Sequence, residues 1–253
     1  HKLLIVALLL LNFISSAQVR SVVNFNNGWK FFLGNDSLAS NANYNDAKWR
    51  SLNLPHDWSI ESNFSSSFPA TNQGGALPGG IGWYRKTFSV PVSAKNKITR
   101  IEFDGVYKNS EVWINGHFLG KRPYGYINFS YDLTAHLIYG KKNVIAVKVD
   151  NSLQPDSRWY SGSGIYRDVK LVTTNKVAIA EAGVFITTPV INNNTATVSI
   201  QYTVANTSKQ NEIVNLYTDV YEEVEPGPAK AMQASGASGL STWLYAVLPQ
   251  VSP

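Results

Sequence analysis

Glu111–Gly120 reads EVWINGHFLG, two short apolar-rich runs joined by Asn115-Gly116. A two-residue turn between antiparallel strands needs positive φ at both central positions, and Asn followed by Gly meets that need at low steric cost. A β-hairpin is predicted here. Outward from it the pattern repeats. Ile98–Phe103 (ITRIEF) alternates in part and stops at Asp104-Gly105. Asn143–Asp150 (NVIAVKVD) sets Val144, Ala146 and Lys148 against Ile145, Val147 and Val149. Both faces carry apolar residues, so a central strand is predicted. Asp168–Val172 (DVKLV) predicts another. Short strands with turn signals roughly every 8–12 residues, and no sustained helical period, predict an all-β sandwich.

A second unit is expected from near Asn175. Thr195–Val204 (TATVSIQYTV) alternates cleanly, with Ala196, Val198, Ile200, Tyr202 and Val204 on one face. Ile213–Tyr221 follows a polar turn. These read as the first strands of an immunoglobulin-like β-sandwich over residues 175–225, incomplete because such a fold takes about seven strands. Residues 226–253 hold one charged residue, Lys230, and show no strand alternation. That tail is expected to be either a disordered linker or a segment from a shifted reading frame.

At the other end, Lys2 precedes the apolar run Leu3–Leu11, and Ser15-Ser16-Ala17 follows. A charged start, an apolar middle and a small-residue cleavage site predict a signal peptide over residues 1–17. The apolar run is too short for a bilayer, which takes roughly 20 residues. A secreted or periplasmic protein with no membrane attachment after cleavage is expected.

Composition narrows the chemistry. The chain of 253 residues has no Cys, which removes disulfides, thiolate catalysis and Cys-ligated metals. The net charge of +5 is scattered rather than gathered in a basic block, so no nucleic-acid partner is expected. The four His show no metal-ligand spacing, and neither a metal nor a cofactor is expected. His56-Asp57, in LPHDW, lacks a nucleophile elbow to complete a triad. Adjacent side chains on an extended chain also point apart, so a structural turn with Trp58 buried is predicted. Gly74–Phe88 is glycine-rich but lacks G-K-[ST] and leads into a strand, which argues against a phosphate loop. Glu222, Glu223 and Glu225 read as a solvated face rather than paired catalytic acids. No self-contained active site is visible.

Further motifs occur in a fixed order: WKFFLGN, WRSLNLPHDWSI, GGIGWYRKTFSVP, IEFDGVYKNSEVWINGHFLGKRPYGYINFSYDLT, NVIAVKVDNS and SRWYSGSGIYRDVKL. Together, from Phe25 to Val172, they resemble the amino-terminal sugar-binding domain of glycoside hydrolase family 2, its secreted β-galactosidase-like members most. The resemblance implies a jelly-roll (galactose-binding-like) β-sandwich over residues 18–174, then the immunoglobulin-like sandwich, then a (β/α)₈ barrel carrying two catalytic glutamates in a retaining mechanism. No position of this chain matches those glutamates, so no catalytic residue is assigned.

The resemblance also implies that the loop before Gly164-Ile165-Tyr166-Arg167 reaches over the barrel mouth. An Asp that contacts the sugar in the family sits six residues before the matching Gly, which is Arg158 here; Asp156 lies two residues earlier. Arg158, Trp159, Tyr160, Asp156 and, on the same rim, Asn151 are the candidate substrate contacts. A guanidinium offers a planar donor fork to hydroxyls or a carboxylate, and aromatic rings stack on pyranose faces. Gly162 and Gly164 are expected to allow positive φ or close backbone approach. Arg167 is expected to form an ion pair with Asp104 or Asp132. Trp58 and Trp113, with Trp29, Trp49 and Trp83, are expected in core or interdomain packing. The implied function is the non-catalytic amino-terminal portion of a secreted retaining β-glycosidase, with carbohydrate and the barrel as partners. A standalone secreted carbohydrate-binding module and a domain that docks on another subunit are the other readings.

Overall fold

The computed structural model describes residues 20–156, 159–192, 195–220 and 240–241. The expected signal peptide lies outside the described residues, as does the tail except Leu240–Ser241. The described residues of the compact unit Arg20–Asn175 form ten strands. They are β1 (Arg20–Asn24), β2 (Trp29–Leu33), β3 (Arg50–Leu52), β4 (Gly80–Ser89), β5 (Ile98–Phe103), β6 (Ser110–Ile114), β7 (His117–Arg122), β8 (Phe129–Asp132), β9 (Lys142–Asn151) and β10 (Val169–Thr174). They form two antiparallel sheets, ordered β1-β10-β5-β8 and β3-β2-β4-β9-β6-β7. The unit is a two-sheet β-sandwich, and no helix among the described residues is long and apolar enough to cross a membrane.

The hairpin forms where the Asn-Gly pair stands. Asn115 and Gly116 have φ of 50° and 83°, and β6 and β7 pair on either side. The Asn115 side chain adds tertiary bonds: its Oδ1 accepts the Val144 N–H at 2.8 Å and its Nδ2 donates to Asn143 Oδ1 at 2.8 Å. The turn is thereby fixed to β9, which lies inside its sheet between β4 and β6.

Alternation explains the core. Ile145, Val147 and Val149 of β9 face Ile101 and Phe103 of β5, Phe129 of β8 and Val169 of β10 in one buried cluster drawn from both sheets. Burying each large apolar side chain contributes roughly 1.5–3 kcal/mol. The opposite face of the six-stranded sheet is covered too. Ala39, Trp49 and Trp83 form a second cluster there, with Trp113 packed against it and stacked on Trp83 at 5.3 Å. Arg85 is 1% exposed beneath this cover. It donates to Asp46 Oδ2 at 2.9 Å and to the Ala39 and Asn41 carbonyls, so the buried charge is paired and hydrogen-bonded.

From Lys176 onward the described residues form a second unit. β11 (Val177–Ile191) and β12 (Ala196–Asn206) make an antiparallel hairpin with register shifts between Ile179 and Val184 and between Thr187 and Val190. Val198, Ile200, Tyr202 and Val204 are half-buried while the residues between them are exposed, so the alternation holds, although Ala196 is exposed. Among the described residues 213–220 only β13 (Leu216–Tyr217) is a strand, paired in parallel with β14 (Leu240–Ser241); Tyr221 lies outside the described residues. Ile213 is 97% exposed, so it is not buried in a sheet face as a long strand would require.

Candidate functional site

β9 ends at Asn151 and β10 begins at Val169; the loop between them contains most of the candidate residues. Its second half is laced to two other segments. His56 N–H donates to the Ile165 carbonyl (2.8 Å) and Trp58 N–H to the Ser163 carbonyl (3.0 Å). Tyr107 and Gly164 exchange both backbone bonds at 2.9 Å. Gly164 has φ of +133°, and a Cβ there would collide with the Tyr84 hydroxyl and lie 2.6 Å from the His56 carbonyl. Both a positive φ and a close approach therefore require glycine at this position.

Asp57 is the polar fulcrum of this lacing. Its Oδ1 accepts the N–H of Ser59 (2.9 Å) and of Ser163 (2.8 Å), and its Oδ2 accepts the Tyr160 hydroxyl. Gly162 makes room, since a Cβ there would run into Asp57 Oδ2. Burial, and the Asp57 carboxylate beside it, push the Tyr160 phenol above its ordinary range. The phenol therefore stays a donor at neutral pH. Trp58 is buried and donates to the Gly79 carbonyl at 2.9 Å.

His56 points away from Asp57. Its Nδ1 lies 2.7 Å from the Tyr84 hydroxyl and its Nε2 3.1 Å from Glu61 Oε1. Tyr84 is buried, which raises its phenol well above the ordinary value, and it also takes a backbone bond from Ile165. The Arg50 guanidinium also lies 3.0 Å from His56 Nε2, so that nitrogen faces a cation as well as the Glu61 carboxylate. Burial lowers the His56 pKa despite the opposing pull of Glu61. Nothing in this arrangement presents a nucleophile.

The candidate residues divide by exposure. Trp159 and Tyr160 stand out at 62% and 42% exposed. Trp159 Nε1 donates to the Tyr126 hydroxyl at 3.3 Å, and Tyr126 packs edge-on against Tyr107 and Tyr124, so the indole continues an aromatic ridge. Asn151, expected on the rim, is instead 1% exposed beneath it. Its Nδ2 donates to Ser163 Oγ (2.8 Å) and the Gly162 carbonyl (3.4 Å), and its Oδ1 accepts from Gln154 Nε2 (2.8 Å). Those partners draw the amide inward, so it pins the loop and is not presented to a ligand. Asp156 is held by the Tyr107 hydroxyl (3.0 Å) and by an ion pair with Lys108. Burial, with Asp156 close by, raises the Tyr107 phenol to about 12. Arg158 lies outside the described residues.

Arg167 corrects another expectation. Asp104 is paired with Lys170 at 2.6 Å, and Asp132 Oδ1 accepts the Thr134 N–H at 2.8 Å. Arg167 is exposed, its guanidinium 5.6 Å from the centre of the Tyr166 ring, and among the described residues no carboxylate pairs with it. It lines an open depression of about 540 Å³ together with Tyr126, Ile127, Asn128, Tyr166 and Asp168. Among the described residues no group of three or more His, Asp or Glu is placed to hold a metal ion. Sequence reasoning missed Asp57, Ser163 and Tyr126 as site-building residues. The only local signal was a polar residue beside the buried Trp58.

The arrangement is a rigid polar clamp that holds two aromatic side chains toward solvent, an amphipathic surface suited to C–H-rich ligand faces. Residues 23–175 match the family model described as glycosyl hydrolases family 2, sugar binding domain. The chain is 50% identical over 208 residues to β-galactosidase BoGH2A of Bacteroides ovatus, covering 82% of this chain and 24% of that protein. It is 31% identical over 228 residues to a β-glucuronidase of Formosa agariphila, covering 82% and 23%. The crystal structure of a β-glycosidase from Bacteroides vulgatus superposes with a TM-score of 0.72 at 50% identity, covering 75% of this chain and 25% of that one. The chain thus spans about a quarter of the length of these relatives.

Proposed function

The chain belongs to glycosyl hydrolase family 2, and from that membership we propose that it is the amino-terminal, non-catalytic portion of a secreted retaining β-galactosidase-like enzyme, supplying one wall of its sugar site. The observation that carries this reading is the pair Trp159 and Tyr160, held exposed on a loop whose backbone is bonded to two other segments. Preformed aromatic surface binds a pyranose without first paying the entropy of ordering the loop. It also covers the sugar from water, which strengthens the electrostatics of whatever carboxylates act on it. Retaining hydrolysis requires two carboxyl groups about 5–5.5 Å apart, one attacking and one moving the proton. In this reading they come from the barrel of the longer protein, and this chain orients the ring they act on.

The β-galactosidase relative supports a β-galactoside as substrate. Lys2 and the apolar run that follows it support secretion. The test compares the full-length protein with residues 18–253 on nitrophenyl β-galactoside. Turnover with retention of the β-anomer is expected only in the full-length protein. Turnover by residues 18–253, or an inverted product, overturns the proposal.

A further inference from the structure

We propose that Asp57 is a positioning residue that sets the pose of Tyr160 against the bound sugar, a role that rests on the reading of this rim as one wall of a sugar site. Tyr160 is held at two points. Its hydroxyl donates to Asp57 Oδ2. Its ring lies against Gly75, where a Cβ would stand 3.2 Å from Tyr160 Cδ2. Gly75 has φ of +89°, so a side chain there would be strained as well as crowded. Held at its tip and along one side, the ring turns its exposed surface toward solvent.

Asp57 suits the task because it is itself immobilised. Its other oxygen takes two backbone amides from segments far apart in sequence, Ser59 beside it and Ser163 across the loop. Among the described residues no cation forms an ion pair with it, and three hydrogen bonds orient the carboxylate. Charge-assisted hydrogen bonds are shorter and stronger than neutral ones, so the Tyr160 ring is held more firmly than a neutral acceptor would hold it. Two consequences follow for recognition. The Tyr160 proton already has an acceptor, so the residue offers a ligand its ring face rather than a hydroxyl donor. A phenol that donates to a carboxylate also carries more electron density in its ring, which favours contact with the electropositive C–H face of a pyranose.

The experiment measures affinity for methyl β-galactoside in the full-length protein, with the melting temperature of each variant alongside. Asp57→Asn keeps Oδ1 for the Ser59 and Ser163 amides and replaces the charged acceptor by an amide donor. Tyr160→Phe removes only the hydroxyl. Each single change is expected to weaken binding roughly tenfold, the scale of one charge-assisted hydrogen bond. The double variant should lose no more than either single one, since both cut the same link. Wild-type affinity in Asp57→Asn, additive losses, or a lowered melting temperature with unchanged affinity each overturn the proposal. The double variant Trp159→Ala, Tyr160→Ala separates the two readings. If it binds sugar as the wild type does, the wall reading fails and the role of Asp57 falls with it. If it binds weakly while Asp57→Asn does not, only the role of Asp57 fails.

Discussion

Truncating Asn151 to Ala separates a loop pin from a ligand contact. The side chain is 1% exposed and joins three parts of the rim: Ser163 Oγ at 2.8 Å, Gln154 Nε2 at 2.8 Å and the Gly162 carbonyl at 3.4 Å. Two short neutral bonds contribute about 1 kcal/mol each, and the long third one adds little. Ser163 Oγ keeps the bond from Ser59 Oγ, also 2.8 Å, so it is not orphaned outright. Losing a buried partner and leaving a small void raises the total to roughly 2–3 kcal/mol. In a unit of this size each kcal/mol moves the melting temperature by about 2–4 °C, so a fall of roughly 4–12 °C is expected. Thermal and urea denaturation of the chain measure it, with the urea m-value unchanged if only stability is affected. A melting temperature within 1 °C of wild type, combined with lost sugar affinity, would refute the reasoning and return Asn151 to the ligand surface.

Three more outcomes follow from the same geometry. Gly164→Ala should destabilise the sandwich by roughly 3 kcal/mol or more, because the added Cβ meets backbone and a buried hydroxyl at a strained φ; a well-folded variant with unchanged denaturant midpoint would count against the tight lacing. Arg167→Ala should change stability by less than about 0.5 kcal/mol, as for an exposed residue that no carboxylate among the described residues pairs with, and a loss above about 1 kcal/mol would point to the partner expected from sequence. Acidification should destabilise the unit in two stages. His56 has a lowered folded pKa, through burial, so the unfolded chain binds its proton first, and stability is lost as pH falls below the ordinary histidine value of about 6.5. Burial works to raise the Glu61 pKa, but the bonds from Arg50 and His56 outweigh it, so its folded pKa is lowered and its contribution disappears at lower pH. In His56→Asn the slope of stability between pH 7 and 5 should flatten; an unchanged slope would show that His56 does not govern it.

What the sequence revealed was local. Asn115-Gly116 names its own turn because the requirement for positive φ lies within two residues. The two-sided pattern of Asn143–Asp150 marks a strand with neighbours on both edges and cover on both faces. The rim resisted because its determinants are distant. Asn151 reads as a polar residue at a strand end, and only the folded chain shows Ser163 and Gln154 pulling it inward. Asp57 reads as half of a turn, yet its defining partners are 103 and 106 residues away. Arg167 has acids near it in space, but Lys170, three residues on in the same segment, takes Asp104. Competition between two cations for one carboxylate is a matter of tertiary geometry, which spacing along the chain does not record.

The central claim is that this sandwich presents Trp159 and Tyr160 as one wall of a sugar site. A crystal structure of the full-length protein with galactose bound tests it most directly. The sugar should lie against at least one of the two rings, with ring carbons within about 4.5 Å of its C–H face, the ordinary distance for apolar contact. A galactose bound in the catalytic pocket with neither ring in contact would contradict the claim.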